Sequence, residues 1–197
     1  MKKIVPVDAI LIPDAAKRVF QGQIFDVYQW PQQLFDGHTA TFEMLKRPDT
    51  ALGIGIVDGK ILVINNIQPH RGDKLSLPGG RADKPGQTIL EAVQREVREE
   101  TGYQFAHWKL IDVSQPQRKI EWFVHLFIAW DATGTSEPKP DAGEQIKVQL
   151  LSLEQVKQLG RNRIGFMGES AHIFEHLHSL DDLVNLPEFT GQQINAG

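Results

Sequence analysis

The residues best suited to chemistry stand together at Arg95-Glu96-Val97-Arg98-Glu99-Glu100-Thr101-Gly102-Tyr103. On a helix, side chains three and four apart share a face. Glu96, Glu99 and Glu100 therefore crowd three carboxylates into about a third of the circumference, at 3.6 residues per turn. They lie at the edge of an apolar stripe formed by Ile89, Val93 and Val97. Anions so placed repel one another unless a cation joins them, and oxygen ligands without thiolate favour a hard divalent ion, Mg²⁺ or Mn²⁺. Salt-bridge lacing is the competing account, because Arg95 lies four residues from both Glu91 and Glu99. That account leaves Leu77-Pro78-Gly79-Gly80 unexplained, a loop's distance upstream. Glycines there let backbone approach a metal or phosphate closely.

The surrounding pattern supplies elements to hold such a site. Thr88 and Glu91 have capping-box spacing, which predicts a helix from Thr88 to Thr101 with Gly102 as its stop. Ala51 to Val57 and Lys60 to Ile67, joined through Asp58-Gly59, read as a hairpin of strands buried on both faces. A polar loop is expected over Gln68 to Leu75. Further strands are expected at Trp108 to Val113, Glu121 to Trp130 and Gln145 to Leu151, with a loop over Asp131 to Gly143. Ser152 caps a short helix through Leu159, Glu169 to Leu180 reads as a last helix, and the polar chain beyond Leu186 reads as loose. Upstream, Val19, Phe20, Ile24, Phe25, Val27 and Tyr28, with a bend at Gly22, precede an Asp36-Gly37 turn and a run from Thr39 to Leu45. These predict a small antiparallel sheet too thin to stand alone, which must pack on the rest of the chain or on a second copy.

The chain has 197 residues, 41% hydrophobic and 23% charged, which excludes a disordered or collagen-like polymer. A net charge of -4 disfavours a generic nucleic-acid binder. With no cysteine, disulfides, zinc-thiolate sites and cysteine nucleophiles are excluded, which suits a reducing compartment. Pro6, Asp8 and Pro13 interrupt the apolar N-terminal run, and Phe123 to Trp130 is too short to span a bilayer. The reading is a soluble, cytoplasmic protein with no membrane partner.

The segment from Gly79 to Tyr103 resembles the signature of the Nudix hydrolase superfamily, G-x5-E-x7-R-E-U-x-E-E-x-G-U with U apolar. Arg95 to Gly102 matches its second half, Tyr103 takes the last apolar place, and Gly79-Gly80 match the opening turn. One extra residue follows Gly80, and Gln87 stands where the family has its first glutamate, with Asp83 or Glu91 as candidate substitutes. The resemblance implies an α+β Nudix fold: an α/β/α sandwich with a mixed β-sheet, plus an N-terminal antiparallel β-sheet. It implies metal ligation by Glu96, Glu99, Glu100 and the Gly79 carbonyl, with Arg95 orienting the glutamates.

The N-terminal segment, from Val19 to Val27 and from Phe42 to Pro48, resembles that of ADP-ribose and nucleotide-sugar pyrophosphatases. That resemblance divides the chain into 1–47 as a dimerisation and base-binding extension, 48–186 as the Nudix domain, and 187–197 as a polar tail. It implies a homodimer acting on a small-molecule nucleoside diphosphate derivative, Mg²⁺-dependent, releasing a nucleoside monophosphate and a sugar phosphate. Tyr28, Trp30, Arg47, Arg71 and Gly80 are the candidate substrate-binding residues; Arg71 would substitute for a family arginine at the place of Gln68. Glu144 resembles the loop acid that activates water, with Glu137 as the alternative, so the catalytic set is Arg95, Glu99, Glu100 and Glu144. His172, His176 and His178 read as helix surface. Two rival readings remain: a Nudix enzyme acting on nucleoside triphosphates or dinucleoside polyphosphates, and a non-catalytic nucleotide sensor.

Overall fold

The computed structural model describes residues 2–69, 72–140, 142–161 and 172–195. In chain order its first strands are β1 (Lys2–Val5), β2 (Lys17–Gln21), β3 (Asp26–Gln33), β4 (Thr39–Lys46), β5 (Thr50–Val57), β6 (Lys60–Gln68), β7 (Gly72–Ser76) and β8 (Gly79–Arg81). Helix α1 (Ile89–Thr101) follows, then β9 (Tyr103–Ser114), β10 (Ile120–Glu121), β11 (Val124–Thr135) and β12 (Gln145–Leu151). Helices α2 (Leu153–Arg161) and α3 (Leu180–Val184) and strand β13 (Gln192–Asn195) follow among the described residues.

The main sheet runs β12-β6-β5-β11-β9, with β7 beside β6 and β8 beside β5. The β5–β11 pair is parallel and its neighbours antiparallel, so the sheet is mixed. Successive strand residues point to opposite faces, and β11 shows what this does. Phe127 and Ala129 pack with Val93 and Val97 of α1, whereas Leu126 and Ile128 pack with Val156 of α2, Phe174, Leu177 and Leu183. Helical layers thus cover both faces, as the expected α/β/α sandwich requires. A second sheet, β10-β4-β3-β2, contains the expected antiparallel hairpin around Asp36-Gly37.

Several expectations are corrected. Gln68 to Leu75 is not a continuous loop: Gly72–Ser76 pairs with β6, turning Leu75 toward the core behind a polar face. Strand β11 runs on to Thr135, because β9 begins at Tyr103 and offers backbone to pair it. Residues 131–135 are exposed, so no apolar alternation marks them. Ile120–Glu121 joins the N-terminal sheet in parallel with β4, a pairing too short to carry a period. Of the expected helix Glu169 to Leu180, residues 169–171 lie outside the described residues, 172–175 are helical, and a separate helix starts after the Ser179 cap. Nor is the described tail loose: β13 pairs with β1, and Phe189 N donates to Leu110 O (2.8 Å).

Candidate functional site

Helix α1 is built as its ends predict. Thr88 Oγ1 accepts from Glu91 N (3.1 Å), and Glu91 Oε2 accepts from Thr88 N (2.7 Å). The backbone N–H and then the hydroxyl of Thr88 hold the Glu91 carboxyl below its usual pKa. Gly102 closes the helix at φ 78°, its N–H bonded to Arg98 O. Ala92, Val93 and Val97 face the sheet, leaving the glutamates along the helix edge beside β8.

Two glycines let that edge close on the strand. Gly79 sits at φ 142°, and a Cβ there would stand 2.2 Å from Ala51 O. A Cβ on Gly80 would stand 2.7 Å from Glu96 Cδ, so the Glu96 carboxylate lies directly over the glycine backbone. Glu100, 4% exposed, accepts from Gly79 N through Oε2 (2.7 Å). Arg95 bridges the other two, with Nη2 to Glu96 Oε1 at 2.7 Å and Nη1 to Glu99 Oε2 at 2.8 Å. Burial alone would lower the Arg95 pKa, but Glu96 and Glu99 outweigh it and raise it. Gln87 Oε1 accepts from Arg95 Nε (3.4 Å), so an amide does the orienting without a charge. Asp83 is turned to Arg81 and Glu91 is engaged in the cap.

Glu96, Glu99 and Glu100 therefore occupy one strip, from Gly79 to Arg95. Among the described residues no three acidic or histidine side chains form a closed cation cage; each of these glutamates is turned to a protein partner. The donor set, three carboxylates against a glycine backbone with no sulfur, fits a hard divalent cation.

The loop between β11 and β12 lies along the C-terminal end of α1. Ser136 N donates to Gly102 O (2.8 Å) and Lys139 N to Glu99 O (2.6 Å). At the loop's far end, Glu144 Oε1 accepts from Asn66 Nδ2 (3.1 Å) and Gln68 Nε2 (2.6 Å). Glu137 is exposed.

A cleft of about 680 Å³ opens between the N-terminal sheet and the loop preceding α1, lined by Arg18, Tyr28, Arg47, Asp49, Lys84 and Gln87 among others. Gln87 joins it to the carboxylate strip through Arg95. Arg47 lies over the Trp122 and Phe25 rings (4.6 and 5.5 Å), and its Nε has no acceptor among the described residues. Burial, then the charge of Arg81, lowers its pKa against the opposing pull of Asp49. At the cleft wall, buried Asp49 binds Lys3 Nζ (2.7 Å) and Phe123 N (3.0 Å), with His125 Nε2 at 3.4 Å.

The structure thus brings together Gly79, Gly80, Arg95, Glu96, Glu99 and Glu100, and puts Tyr28 and Arg47 in one cleft. Trp30 stands apart: it packs beside Phe42 at 6.2 Å and bonds Gln32, away from the cleft lining. Arg71 lies outside the described residues. His172, His176 and His178 are exposed. Sequence reasoning missed the Asn66 and Gln68 contacts and the Asp49–Lys3–His125 cluster. Their traces were polar residues inside apolar runs: Asn65-Asn66 after Ile64, and His125 within Phe123 to Trp130.

Comparison with known proteins matches residues 46–170 to the NUDIX domain. A Caenorhabditis elegans protein bearing the nudix hydrolase name is 31% identical over 123 residues, covering 60% of this chain and 33% of that protein. The 8-oxo-dGDP phosphatase NUDT18 of Mus musculus is 38% identical over 86 residues, covering 44% of this chain and 26% of that protein. The matches thus span about a third or less of these curated relatives. A solved ADP compounds hydrolase superposes with a TM-score of 0.64 at 19% identity, over 81% of this chain and 88% of that one, and shares the fold.

Proposed function

The chain belongs to the NUDIX family of hydrolases, and from that premise we propose that it hydrolyses the anhydride of a nucleoside diphosphate linked to another group, ADP-ribose or a nucleotide sugar. The observation that carries this reading is the strip of Glu96, Glu99 and Glu100 laid against Gly79 and Gly80, joined through Gln87 to a cationic cleft of about 680 Å³. Glu96, Glu99, Glu100 and the Gly79 carbonyl would hold Mg²⁺ or Mn²⁺. Such an ion supplies charge neutralisation on phosphoryl oxygens and makes water more acidic.

The protein's own groups carry the remaining work. Arg95 keeps Glu96 and Glu99 apart from one another yet on one edge. Arg47 lines the cleft with its guanidinium held over the Trp122 and Phe25 rings, and that planar cation suits a phosphate or base acceptor there. Tyr28 lines the same cleft and offers an aromatic face. Glu144 accepts the proton of the attacking water, whose oxygen bonds to one phosphorus. The bridging oxygen leaves with the other phosphate, giving a nucleoside monophosphate and a sugar phosphate. Positioning and electrostatics supply most of the acceleration in such transfers.

Residues 1–47 act chiefly as a dimerisation and base-binding extension. Support comes from Val19, Phe20 and Ile24, which are 53%, 59% and 43% exposed on or beside an edge strand and suit a second copy. The cysteine-free chain suits the cytoplasm, and no helix among the described residues is long and apolar enough to cross a membrane. A second reading, hydrolysis of a modified nucleoside diphosphate, draws on the identity with the mouse phosphatase.

A panel of ADP-ribose, nucleotide sugars, nucleoside diphosphates and triphosphates, incubated with Mg²⁺ or Mn²⁺ and resolved by chromatography, tests these readings together. Nucleoside monophosphate plus sugar phosphate supports the first, and inorganic phosphate from a diphosphate the second. Glu99→Gln and Glu100→Gln should each lose turnover by roughly a hundredfold or more; unchanged rates would overturn the metal assignment.

A further inference from the structure

We propose that Asn66 and Gln68 are positioning residues that grip Glu144 by Oε1, so that Oε2 is the oxygen presented to water. This rests on the reading of Glu144 as the water-activating acid.

Three observations converge. First, β6 pairs with β12 in a register that sets Ile67 against Gln145 and Asn66 against Ile146, so both amides flank the residue immediately before β12. Residues two apart on a strand share a face, and both side chains reach the same oxygen, at 3.1 Å and 2.6 Å. Amide donors to a carboxylate are charge-assisted and short, and two on one oxygen restrict its rotation.

Second, Asn66 is 4% exposed and its Oδ1 is buried without a hydrogen-bond partner among the described residues. An unmet buried carbonyl is unfavourable for folding. Turning the amide over would drive that carbonyl into the Glu144 carboxylate, so the acid dictates the orientation. An apolar residue would suit this strand position better, since Ile61 to Ile64 are buried just upstream.

Third, Glu144 ends a loop whose residues 137–140 are exposed and whose other described anchors lie at Ser136 and Lys139. The amides are what the strand contributes to its carboxylate. A general base must sit within hydrogen-bond reach of the proton it takes, and misplacement by about 1 Å can cost roughly a hundredfold in rate.

The test uses the full chain with Mg²⁺ and the fastest substrate of the panel, and measures kcat, KM and the thermal midpoint. The variants are Glu144→Ala, Gln68→Met, Asn66→Leu and the double Gln68→Met/Glu144→Ala. Glu144→Ala should lower kcat by roughly a hundredfold or more. Gln68→Met and Asn66→Leu should each lower kcat roughly tenfold while KM stays within about twofold. Asn66→Leu should melt no lower than the parent, because the unmet carbonyl is gone; a simple structural residue would lose stability and rate together. The double variant should be no slower than Glu144→Ala alone. If Glu144→Ala is impaired but either amide variant keeps parental kcat, or the losses multiply in the double, the positioning role is overturned and the acid's role stands. If Glu144→Ala keeps parental kcat, the reading of the acid itself is overturned.

Discussion

In Gly80→Ala a single methyl group enters β8 in front of the Glu96 carboxylate. An ideal Cβ would stand 2.7 Å from Glu96 Cδ, whereas ordinary contact begins at 3.4 Å, so the carboxylate must retreat by about 0.7 Å. The obstacle is the far end of a flexible side chain, and Gly80 is not in the left-handed region. The fold can therefore accommodate the change. Restricting the unfolded chain contributes about 0.4–1 kcal/mol in favour of folding. Loosening the Arg95–Glu96 pair, whose side chains are 13% and 20% exposed, costs a similar small amount. The thermal midpoint should stay within about 3 °C of the parent.

Function should respond quite differently. Ligand distances in metal sites hold to about 0.2 Å, and a reacting group misplaced by about 1 Å loses roughly a hundredfold. A shift near 0.7 Å therefore predicts a fall in kcat/KM of roughly 10–100-fold and a higher Mg²⁺ concentration for half-maximal rate. The assay is hydrolysis of the preferred diphosphate across an Mg²⁺ titration, beside thermal unfolding. Parental rate and parental Mg²⁺ dependence would refute the placement of Glu96 in the metal site. Gly79→Ala is the contrasting control: at φ 142° with Ala51 O 2.2 Å from its Cβ, it should fail on stability first.

Thr88→Ala removes the helix N-cap and should cost about 1 kcal/mol, lowering the midpoint by roughly 2–4 °C with turnover at 25 °C retained. Asp49→Ala breaks a buried pair with Lys3 and should cost roughly 3 kcal/mol by urea unfolding at neutral pH. Burial would raise the Asp49 pKa, but the His125 hydrogen bond and the Lys3 charge outweigh it and hold it below 3.8. Its stabilisation is therefore full above that value and lost as pH falls through the lower folded pKa, so the gap to the variant should narrow as the pH is taken below 3.8. A pH-independent gap would contradict the assignment. Gly102→Ala forces φ 78° on an alanine and drives its Cβ to 2.0 Å from Ser136 O. It should lose roughly 2 kcal/mol or more, read as a lower midpoint in urea unfolding.

Helix α1 was legible to the residue because its signals are local. Thr88 and Glu91 satisfy each other across three positions, and Gly102 supplies the left-handed stop. The spacing of Glu96, Glu99 and Glu100 is likewise set by one helical pitch, so their common edge needed no tertiary information. Strands β5, β6 and β12 followed from apolar runs. By contrast, residues 131–135 and β7 became strands because neighbours offered backbone partners, which side-chain pattern does not encode.

What the amino-acid order determined by itself was therefore a capped helix bearing a row of acids, a glycine pair before it, and strands enough for a sheet to carry that helix. What only the tertiary structure decided was who meets whom across the chain. Asn66 and Gln68 reach Glu144 over separations of 78 and 76 residues, and Lys3 reaches Asp49 over 46. The termini pair as β1 and β13. Contacts at such separations have no period to read; sheet register creates them, when backbone pairing and burial fix which polar side chains must satisfy one another.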